Sequence, residues 1–231
     1  MVSISFGFGF DDLNDDYKLV RVTDVKSFNQ ILPKHVVYRE VMVYSLNQST
    51  WKLAERVKDP IDSLMVTQNG ALIKNHLLHW LFSDSDHCRI GCFDTRSDKW
   101  VRDVPLMQLM AACKRSLGVI NGCLCLSTTT TSSGILWMLK DYEAKESWIK
   151  LFHVTPLLSS HSFQFTQPFF CFPRESKYEV LLANVDRDGL FWFDIGQPYG
   201  RIKSVKRIPA FVGGCLFTES LVQIRGGRHI T

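Results

Sequence analysis

Three tryptophans recur along the chain at an almost constant spacing, which constrains the fold more than any other feature. Trp51, Trp100 and Trp148 are separated by 49 and then 48 residues. A period of about 20–50 residues is typical of proteins built from repeated supersecondary units, each of which buries its apolar faces only against its neighbours. The spacing therefore predicts a repeat protein.

An aromatic residue stands seven positions ahead of the first two tryptophans, at Tyr44 and at Phe93. The third copy keeps its tryptophan after a longer turn. Phe193 marks a fourth copy, 100 residues after Phe93, in which the same interval leads to Gly200. The fourth unit is therefore expected to lack the tryptophan.

A second set of markers lies between these positions. Asn69-Gly70 and Asn121-Gly122 are 52 residues apart, and Asp188-Gly189 is a weaker third copy. Because these dipeptides supply the positive φ of two-residue hairpins, each predicts a tight reversal between strands. The segments around them are short and rich in β-branched or aromatic residues, which favours strands: Val41–Leu46, Ile90–Phe93, Val119–Ile120, Cys123–Leu126 and Tyr178–Leu182. Leu106–Cys113 is compatible with a short helix or with a connecting loop.

A four-stranded unit repeated every 45–50 residues or so predicts an all-β fold, a β-propeller of about four to five blades that forms either a closed or an incomplete ring. A two-sheet β-sandwich is the alternative. We expect one domain over 1–231, with units at 1–57, 58–106, 107–154 and 155–208 and a closing strand in 209–231. The tryptophans should fill the wedges between neighbouring sheets, so that replacing any of them by alanine costs on the order of 3–5 kcal/mol.

The composition excludes several classes of protein. Hydrophobic residues make up 45% of the chain, which rules out wholesale disorder, and a net charge of +4 with both signs interspersed does not favour nucleic-acid binding. No apolar run approaches the roughly 18 residues of a membrane span, and the N-terminal residues do not resemble a secretory signal. Seven irregularly spaced cysteines are expected to be reduced thiols, which predicts a cytoplasmic and/or nuclear protein.

Motifs that could carry chemistry are weak. Gly7-Phe8-Gly9 lacks the third glycine and the following helix of a nucleotide-binding turn, and is interpreted as a strand. His76, His79, His87, Cys88 and Cys92 are close in sequence, but no Cys-x-x-Cys pair anchors a metal site; partly exposed histidines and a buried thiol are expected instead.

The remaining motifs also favour structural roles. Cys123 and Cys125 are expected to fill the core rather than form a disulfide. In Asp94–Trp100, Asp and Ser side chains are expected to close a turn rather than form a sialidase-type Asp-box. Arg225–His229 contains a single RGG element, which is weak evidence for RNA binding. No nucleophile signature is present, so we predict a non-enzymatic protein without metal or cofactor.

Two polar loops are candidates for contact with a partner, because loops on one face of a repeat protein usually carry specificity. The candidate residues are Ser83, Asp84, Ser85 and Asp86 in the first loop, and Thr129, Thr130 and Ser132 in the second. Simple solvated loops are the alternative for each of them.

Five stretches resemble, in the expected order, the type 1 F-box-associated domain of plant F-box proteins, including the S-locus F-box group. They are Phe6–Asp11 with Asp15–Val20, Val43–Leu46 with Ser49–Trp51, Asn69–Leu72 with Leu78–Trp80, Glu146–Phe152, and Glu219–Val222, which is similar to the family's closing strand. The resemblance spans roughly Phe6 to Ile224.

This resemblance implies a kelch-like propeller that recognises the substrate of an SCF-type ubiquitin ligase by binding a target protein. No segment of the chain resembles an F-box, so a Skp-type adaptor and a cullin are implied partners only if an F-box lies upstream. A truncated or decoy fragment without adaptor binding is the first alternative. A glycan-active propeller enzyme is a distant second.

Overall fold

The computed structural model describes most of the first two thirds of the chain and the strands that follow. The described residues are 2–26, 36–58, 64–74, 76–84, 87–106, 114–120, 122–130, 134–142, 144, 147–154, 165–174, 177–184, 189–194 and 202–204. Most of Leu106–Cys113, the closing segment 209–231 and Gly200 lie outside them. All the helices and strands that could be assigned in this part of the chain are β-strands, and none is an α-helix. The all-β prediction is therefore confirmed.

The described residues form seventeen strands in four antiparallel sheets. The first, third and fourth sheets are meanders in chain order, whereas in the second both β5 and β6 pair with β7. The first sheet contains β1 (Val2–Asp11), β2 (Asp16–Lys26), β3 (Val36–Ser45) and β4 (Thr50–Lys58). The second contains β5 (Met65–Val66), β6 (Ala71–Ile73), β7 (Leu77–Ser83), β8 (Cys88–Asp94) and β9 (Lys99–Val104).

The last two sheets repeat the same plan. The third sheet contains β10 (Lys114–Ile120), β11 (Cys123–Thr129), β12 (Gly134–Leu139) and β13 (Trp148–Val154). The fourth contains β14 (Phe165–Arg174), β15 (Lys177–Asn184), β16 (Gly189–Asp194) and β17 (Ile202–Ser204). Each sheet contacts the next through its innermost strand, as blades of a propeller do, and each remains an open sheet.

The strand register shows that the sheets are copies of one unit. Tyr44 lies opposite Trp51, and Phe93 lies opposite Trp100. A β-bulge interrupts the pairing of the third and fourth strands in each of the first three sheets. In the fourth sheet the residue opposite Phe193 is Ile202, which corrects the expectation that Gly200 takes the place of the tryptophan. The constant spacing predicted Gly200 because it assumed seven residues between the paired positions, as from Phe93 to Trp100, whereas Phe193 and Ile202 are nine apart.

The Asn-Gly dipeptides have different structural roles. Gly122 has a φ of 74° and joins β10 to β11 in a tight reversal, as predicted. Asn69-Gly70 does not turn the chain; it lies between β5 and β6, which both pair with β7. The third dipeptide is also not a two-residue turn, because Gly189 pairs with Asn184 across a longer loop.

Asn69-Gly70 instead joins the second sheet to the first. The Phe6 amide donates to Asn69 Oδ1 at 3.1 Å, and the Gly70 amide donates to the Phe6 carbonyl at 2.8 Å. Both backbone groups of Phe6 on the free edge of β1 are therefore satisfied by the neighbouring sheet. The Asn69-Gly70 signal therefore correctly predicted a break in regular strand structure. The segment does not reverse the chain as predicted, because it joins two sheets instead.

The Trp80 indole occupies the centre of this interface. It is fully buried, and its Nε1 donates to Ser5 Oγ at 2.8 Å. A Cβ added at Gly7 would lie 2.7 Å from Trp80 Cζ2, and one added at Gly70 would lie 2.8 Å from the same ring. Gly7 and Gly70 thus provide the slot that the indole fills, which gives Gly7-Phe8-Gly9 and Asn69-Gly70 a packing role.

Gln68 connects three sheets. Its carbonyl oxygen accepts from Ser5 Oγ at 2.6 Å in the first sheet. Its side chain reaches the third sheet, where Nε2 donates to the Leu117 carbonyl at 2.6 Å and Oε1 accepts from the Leu117 amide at 2.8 Å. The amide side chain therefore completes the backbone hydrogen bonding on the inner edge of β10.

A buried ion pair reinforces the contact between the first two sheets. Arg39 Nε donates to Asp24 Oδ1 at 2.7 Å, and both side chains are almost completely excluded from solvent. The pair is fully hydrogen-bonded by the second sheet, because Asp24 accepts from the Val66 amide and Arg39 donates to the Leu64 carbonyl. A buried charge pair is tolerated when its remaining lone pairs and protons are satisfied in this way.

The recurrent tryptophans differ in burial. Trp148 is 7% exposed between the second and third sheets, and its Nε1 donates to the Pro105 carbonyl at 2.8 Å. Trp100 is partly buried against Trp80, Phe82 and Phe93. Trp51 is 40% exposed, so the expectation that all three fill wedges is wrong for Trp51. Its ring packs on Tyr44 within its own sheet.

We predict that Gly7→Ala destabilises the fold by about 1–3 kcal/mol, because the new methyl group overlaps the Trp80 ring. Urea unfolding followed by circular dichroism gives the free energy. In a Trp80→Leu background the same substitution should cost clearly less. Gly122→Ala is the matched control, since no atom lies within 4 Å of the added Cβ and only the positive φ is strained, at about 1 kcal/mol. Equal costs of Gly7→Ala in both backgrounds would contradict the slot.

We further predict that Trp148→Ala lowers the free energy of unfolding by about 3–5 kcal/mol, whereas Trp51→Ala lowers it by only about 1 kcal/mol. Trp148 is the first residue of β13 and Trp51 the second of β4, and each pairs with an apolar residue near the end of the preceding strand, so they form a matched pair. A Trp51 variant that is as unstable as the Trp148 variant would mean that the face bearing Trp51 is buried in solution.

Candidate interaction surface

The strand ends form two surfaces of different construction. At one end, which we call the short-turn end, neighbouring strands are joined by tight turns at 12–15, 46–49 and 95–98. At the other, which we call the long-loop end, lie the connections between successive sheets. The connection after β4 spans 59–64, and the one after β9 spans 105–113.

The long-loop ends of the first three sheets lie side by side. Ser3 Oγ donates to the Val66 carbonyl and Ser5 Oγ to the Gln68 carbonyl, so β1 runs parallel to the inner segment of the second sheet. The bonds between Gln68 and Leu117 place β10 alongside that segment as well. These sheets therefore present their longer connections on one surface.

Both predicted contact loops belong to the long-loop end. Ser83 is the last residue of β7 and Asp84 follows it, while Thr129 ends β11 and Thr130 follows that strand. The remaining candidates, Ser85, Asp86 and Ser132, lie outside the described residues. The structure thus brings the two loops to the same surface, although their function as contact sites stays a prediction.

The first loop is held by Asp84. Its carboxylate Oδ1 accepts from the His87 amide at 2.7 Å, and its own amide donates to the His87 carbonyl at 3.1 Å. The His87 ring lies 3.7 Å from the same carboxylate and is largely exposed. This closed turn fixes the backbone while leaving an imidazole and a carboxylate at the surface.

Arg115 joins the two loops, and sequence reasoning missed it. It lies on β10 opposite Thr128, one position from the pair of Lys114 with Thr129. Its Nη1 donates to the Asp84 carbonyl at 3.3 Å, whereas its buried Nε has no hydrogen-bond partner among the described residues. No sequence signal marks this arginine, because its position between two loops depends on how the second and third sheets pack.

Charges at the short-turn end are paired with one another. Lys18 Nζ lies 2.9 Å from Asp11 Oδ2 and 2.8 Å from Asp98 Oδ1, and it also donates to the Thr95 carbonyl. Burial alone would lower the pKa of Lys18, but the hydrogen bonds to Asp98 and Asp11 outweigh it and raise the pKa. Arg96 forms a second pair across the same sheets, with Asp12.

The predicted turn in Asp94–Trp100 is confirmed at this end. Asp94 accepts from the Arg96 amide at 2.9 Å and from Ser97 Oγ at 3.0 Å, and Asp98 adopts a φ of 55°. These bonds close the turn between β8 and β9. The Asp and Ser side chains of this stretch therefore stabilise the turn, as expected, rather than form an Asp-box.

The clustered histidines and cysteines do not assemble into one site. His79 is fully buried, which corrects the expectation of a partly exposed ring, while His87 projects from a loop at the other end of β7. Among the residues that the structure describes, no group of three or more His, Cys, Asp or Glu side chains is placed to hold a metal ion. Cys88, Cys92, Cys123 and Cys125 are free thiols.

His79 forms a buried polar contact between the second and third sheets. The Ala71 carbonyl, 3.3 Å away, can only accept, so His79 Nδ1 carries the proton and Nε2 accepts from the Tyr142 hydroxyl. Burial lowers the pKa of His79 to about 4. The ring is therefore neutral at physiological pH.

Besides His79, the Tyr142 side chain contacts Cys92 and Arg102. Cys92, directly opposite His79 in the register, hydrogen-bonds to the Tyr142 hydroxyl, and burial raises the pKa of this thiol. The Arg102 guanidinium lies over the Tyr142 ring, 4.3 Å from its centre. Because the thiol is buried and protonated, the cluster is suited to packing rather than nucleophilic chemistry.

The geometry therefore describes a scaffold of interlocked sheets with loops collected at one end. In the described part of the chain, no helix is long and apolar enough to cross a membrane. A family model, the F-box associated beta propeller domain, matches residues 2–224. This chain belongs to that family. The resemblance found in the sequence is confirmed, and so is the propeller fold.

Two curated relatives come from Arabidopsis thaliana. F-box protein CPR1 is 26% identical over 234 residues, which cover 95% of this chain and 56% of CPR1. F-box protein At4g22390 is 30% identical over 238 residues, which cover 96% of this chain and 58% of that protein. This F-box-associated propeller chain thus spans a little more than half the length of these relatives.

Solved structures with similar arrangements share little sequence with it. The Dos1 propeller matches with a TM-score of 0.43 and 10% identity, covering 85% of this chain and 57% of that one. An exo-β-1,3-galactanase from Phanerochaete chrysosporium matches with a TM-score of 0.46 and 11% identity, covering 82% and 45% respectively. Similarity at this level carries no information about activity.

We predict that the buried His79 makes the F-box-associated propeller acid-sensitive. The pKa of about 4 in the folded state lies below the ordinary value of 6.5. Between these values the unfolded chain binds a proton that the folded chain does not, so stability falls as the pH is lowered from 6.5 to 4, by up to about 3 kcal/mol. Urea unfolding across this range should show that loss in the wild type and a smaller one in His79→Gln. Parallel pH profiles would contradict the prediction.

Proposed function

We propose that this chain is a protein-interaction domain that recognises a target protein through its long-loop end, as the substrate-recognition part of an SCF-type ubiquitin ligase receptor. The observation that carries the proposal is its membership of the F-box associated beta propeller family over residues 2–224. Both curated relatives are F-box proteins. In this proposal the chain itself performs no catalysis and delivers the target to enzymes of the ligase.

The scaffold supports such a role. Trp80, Gln68 and the Asp24–Arg39 pair fix the first three sheets relative to one another through buried contacts. Loops held on a rigid scaffold can bind a partner without a large loss of conformational entropy on association. We assign recognition to the long-loop end because the longer connections leave the sheets there.

The chemistry of this end favours a polar, charged contact. Asp84, His87 and Arg115 supply a carboxylate, an imidazole and a guanidinium at this end. Guanidinium groups are enriched at the centres of protein interfaces because they combine charge with directed donors. The ring of His87 is largely exposed and can donate or accept. A target segment with complementary polar groups fits this surface.

The partners follow from this proposal. A target protein binds the propeller, whereas a Skp-type adaptor and a cullin bind only a form of the protein that carries an F-box. We place the interaction in the cytoplasm and/or the nucleus, which agrees with the four free thiols in the described part of the chain.

We predict that Arg115→Glu weakens target binding at least about tenfold, because it reverses the charge at the junction of the two loops. Proteins captured from plant cells by the wild type and by the variant would be quantified by mass spectrometry. Arg96→Glu is the matched control, since it reverses a charge at the short-turn end. Capture that depends on Arg96 and not on Arg115 would overturn the assignment to the long-loop end.

The ligase role has its own readout in the same experiment. Recovery of a Skp-type adaptor and a cullin with the target, together with a shorter target half-life, supports the receptor. A target that is captured without adaptor and becomes more abundant when the chain is overexpressed would instead identify a decoy.

A further inference from the structure

The outer strand of the first sheet, β4, is exposed along almost its whole length. It lies at the end of the sheet order, so in the described part of the chain its outer edge has no strand partner. Among its residues only Ala54 is partly buried, and the others are exposed. With nine residues it is the longest outer strand of the described sheets. An exposed edge of this length is a template on which another strand can add.

Apolar and basic side chains alternate towards both ends of β4. In the first group, Trp51–Leu53, a lysine stands between two apolar residues, and in the second, Arg56–Lys58, a valine stands between two basic residues. The three apolar side chains of these groups are Trp51, Leu53 and Val57, and each is at least 36% exposed. Exposed apolar side chains that are grouped in this way mark an interaction site more often than isolated ones do.

The register with β3 shows how these side chains are divided between the two faces of the sheet. Four residues of β4 lie opposite alternate residues of β3 and therefore share one face: Trp51, Leu53, Arg56 and Lys58. A bulge at Ala54 shifts the alternation by one position, and Lys52 and Val57 lie on the other face. Each face thus presents both an apolar and a basic side chain along the outer edge.

The charge along this edge is positive. The basic residues Lys52, Arg56 and Lys58 share the strand with a single carboxylate, that of Glu55. Arg56 Nε donates to Glu40 Oε2 at 2.9 Å, so this guanidinium is fixed in place by β3. The Lys52 side chain is 72% exposed. Because opposite charges that face each other across two strands stabilise the pair, the edge favours an acidic partner strand.

A second copy of β4 is a poor partner for the same edge. Two-fold symmetry pairs the strand with itself, antiparallel about one residue, so each residue faces another that is an even number of positions away. Glu55 lies an odd number of positions from each of the three basic residues and therefore never faces one of them. Pairing centred on Ala54 places Lys52 opposite Arg56, and pairing centred on Glu55 places it opposite Lys58. Like charges in these positions are destabilising.

We propose that the outer edge of β4 binds an extended segment of a partner protein in which acidic and apolar residues alternate. The backbone of this segment pairs with β4 and extends the first sheet by one strand. Its acidic side chains lie opposite Lys52, Arg56 and Lys58, and its apolar side chains cover the exposed apolar ones of β4. The inference concerns a surface other than the long-loop end and does not depend on the proposed function.

The peptide EVETTVEV is the probe for this edge. In antiparallel pairing with β4 its glutamates face the three basic residues and its valines face the three apolar ones. Fluorescence anisotropy of the labelled peptide with the full chain measures the affinity. We expect EVETTVEV to bind at least about tenfold more tightly than KVKTTVKV, in which lysine replaces each glutamate. EVEPPVEV keeps the charge but its prolines oppose strand pairing, so it should bind at least about tenfold more weakly than EVETTVEV.

Charge reversal on the chain tests the same contact from the other side. The double variant Lys52→Glu, Lys58→Glu should reverse the preference, so that KVKTTVKV binds more tightly than EVETTVEV by at least about tenfold. Because this result is a gain of binding, a variant that fails to fold cannot imitate it. Lys99→Glu is the matched control, since Lys99 is an exposed lysine on β9, the outer strand of the second sheet. It should leave the preference unchanged.

Hydrogen exchange of the full chain, measured by mass spectrometry, locates the contact. Saturating EVETTVEV should slow the exchange of amides within β4 and leave those of β9 unchanged. Equal binding of EVETTVEV and EVEPPVEV, an unchanged preference in the double variant, or no protection within β4 would overturn the proposal. A concentration-dependent dimer whose formation protects the β4 amides would also overturn it, since a second copy would then occupy the edge.

Discussion

The contact between the Trp80 indole and the two glycines beneath it sets the geometry of the first two sheets. An indole can lie this close to a backbone only where no side chain intervenes, and Gly7 and Gly70 provide that space from two different sheets. The hydrogen bond from Trp80 Nε1 to Ser5 Oγ then fixes the orientation of the ring. The spacing between the sheets in turn places Asn69 and Gly70 within reach of the backbone of Phe6.

The inner strand of the second sheet is divided into β5 and β6, and this division has a structural use. Gln68 and Asn69 lie in the gap, outside the ladder pairs of β5 and β6 with β7, and they bond to the strands on either side. Blades of a propeller usually meet through apolar side chains, which are not directional. The hydrogen bonds made by Gln68 and Asn69 are directional, so they fix how three consecutive sheets are shifted relative to one another along their strands. This is why the loops of the long-loop end come together on one surface.

Burial of polar groups at the interfaces carries a cost that the structure offsets by hydrogen bonding. Asp24 and Arg39 satisfy each other and two backbone groups, and His79 remains neutral between a carbonyl and a tyrosine hydroxyl. Arg21 Nε and Thr23 Oγ1, in the first sheet, are buried without a hydrogen-bond partner among the described residues. Stability and acid sensitivity therefore both depend on the satisfaction of buried polar groups.

The sequence by itself determined the β-strands, the repeat and the family, because alternation, turn residues and spacing are local or periodic properties that persist without tertiary contacts. It also placed the candidate loop residues Ser83, Asp84, Thr129 and Thr130 at strand ends. Tertiary structure alone decided that Asn69-Gly70 joins two sheets, that Trp51 is exposed and Trp148 buried, and that Arg115 lies between the loops. These outcomes depend on which sheet packs against which face. Trp51 and Trp148 occupy equivalent positions in their sheets, and they differ in burial because only Trp148 is covered by a neighbouring sheet in the described part of the chain.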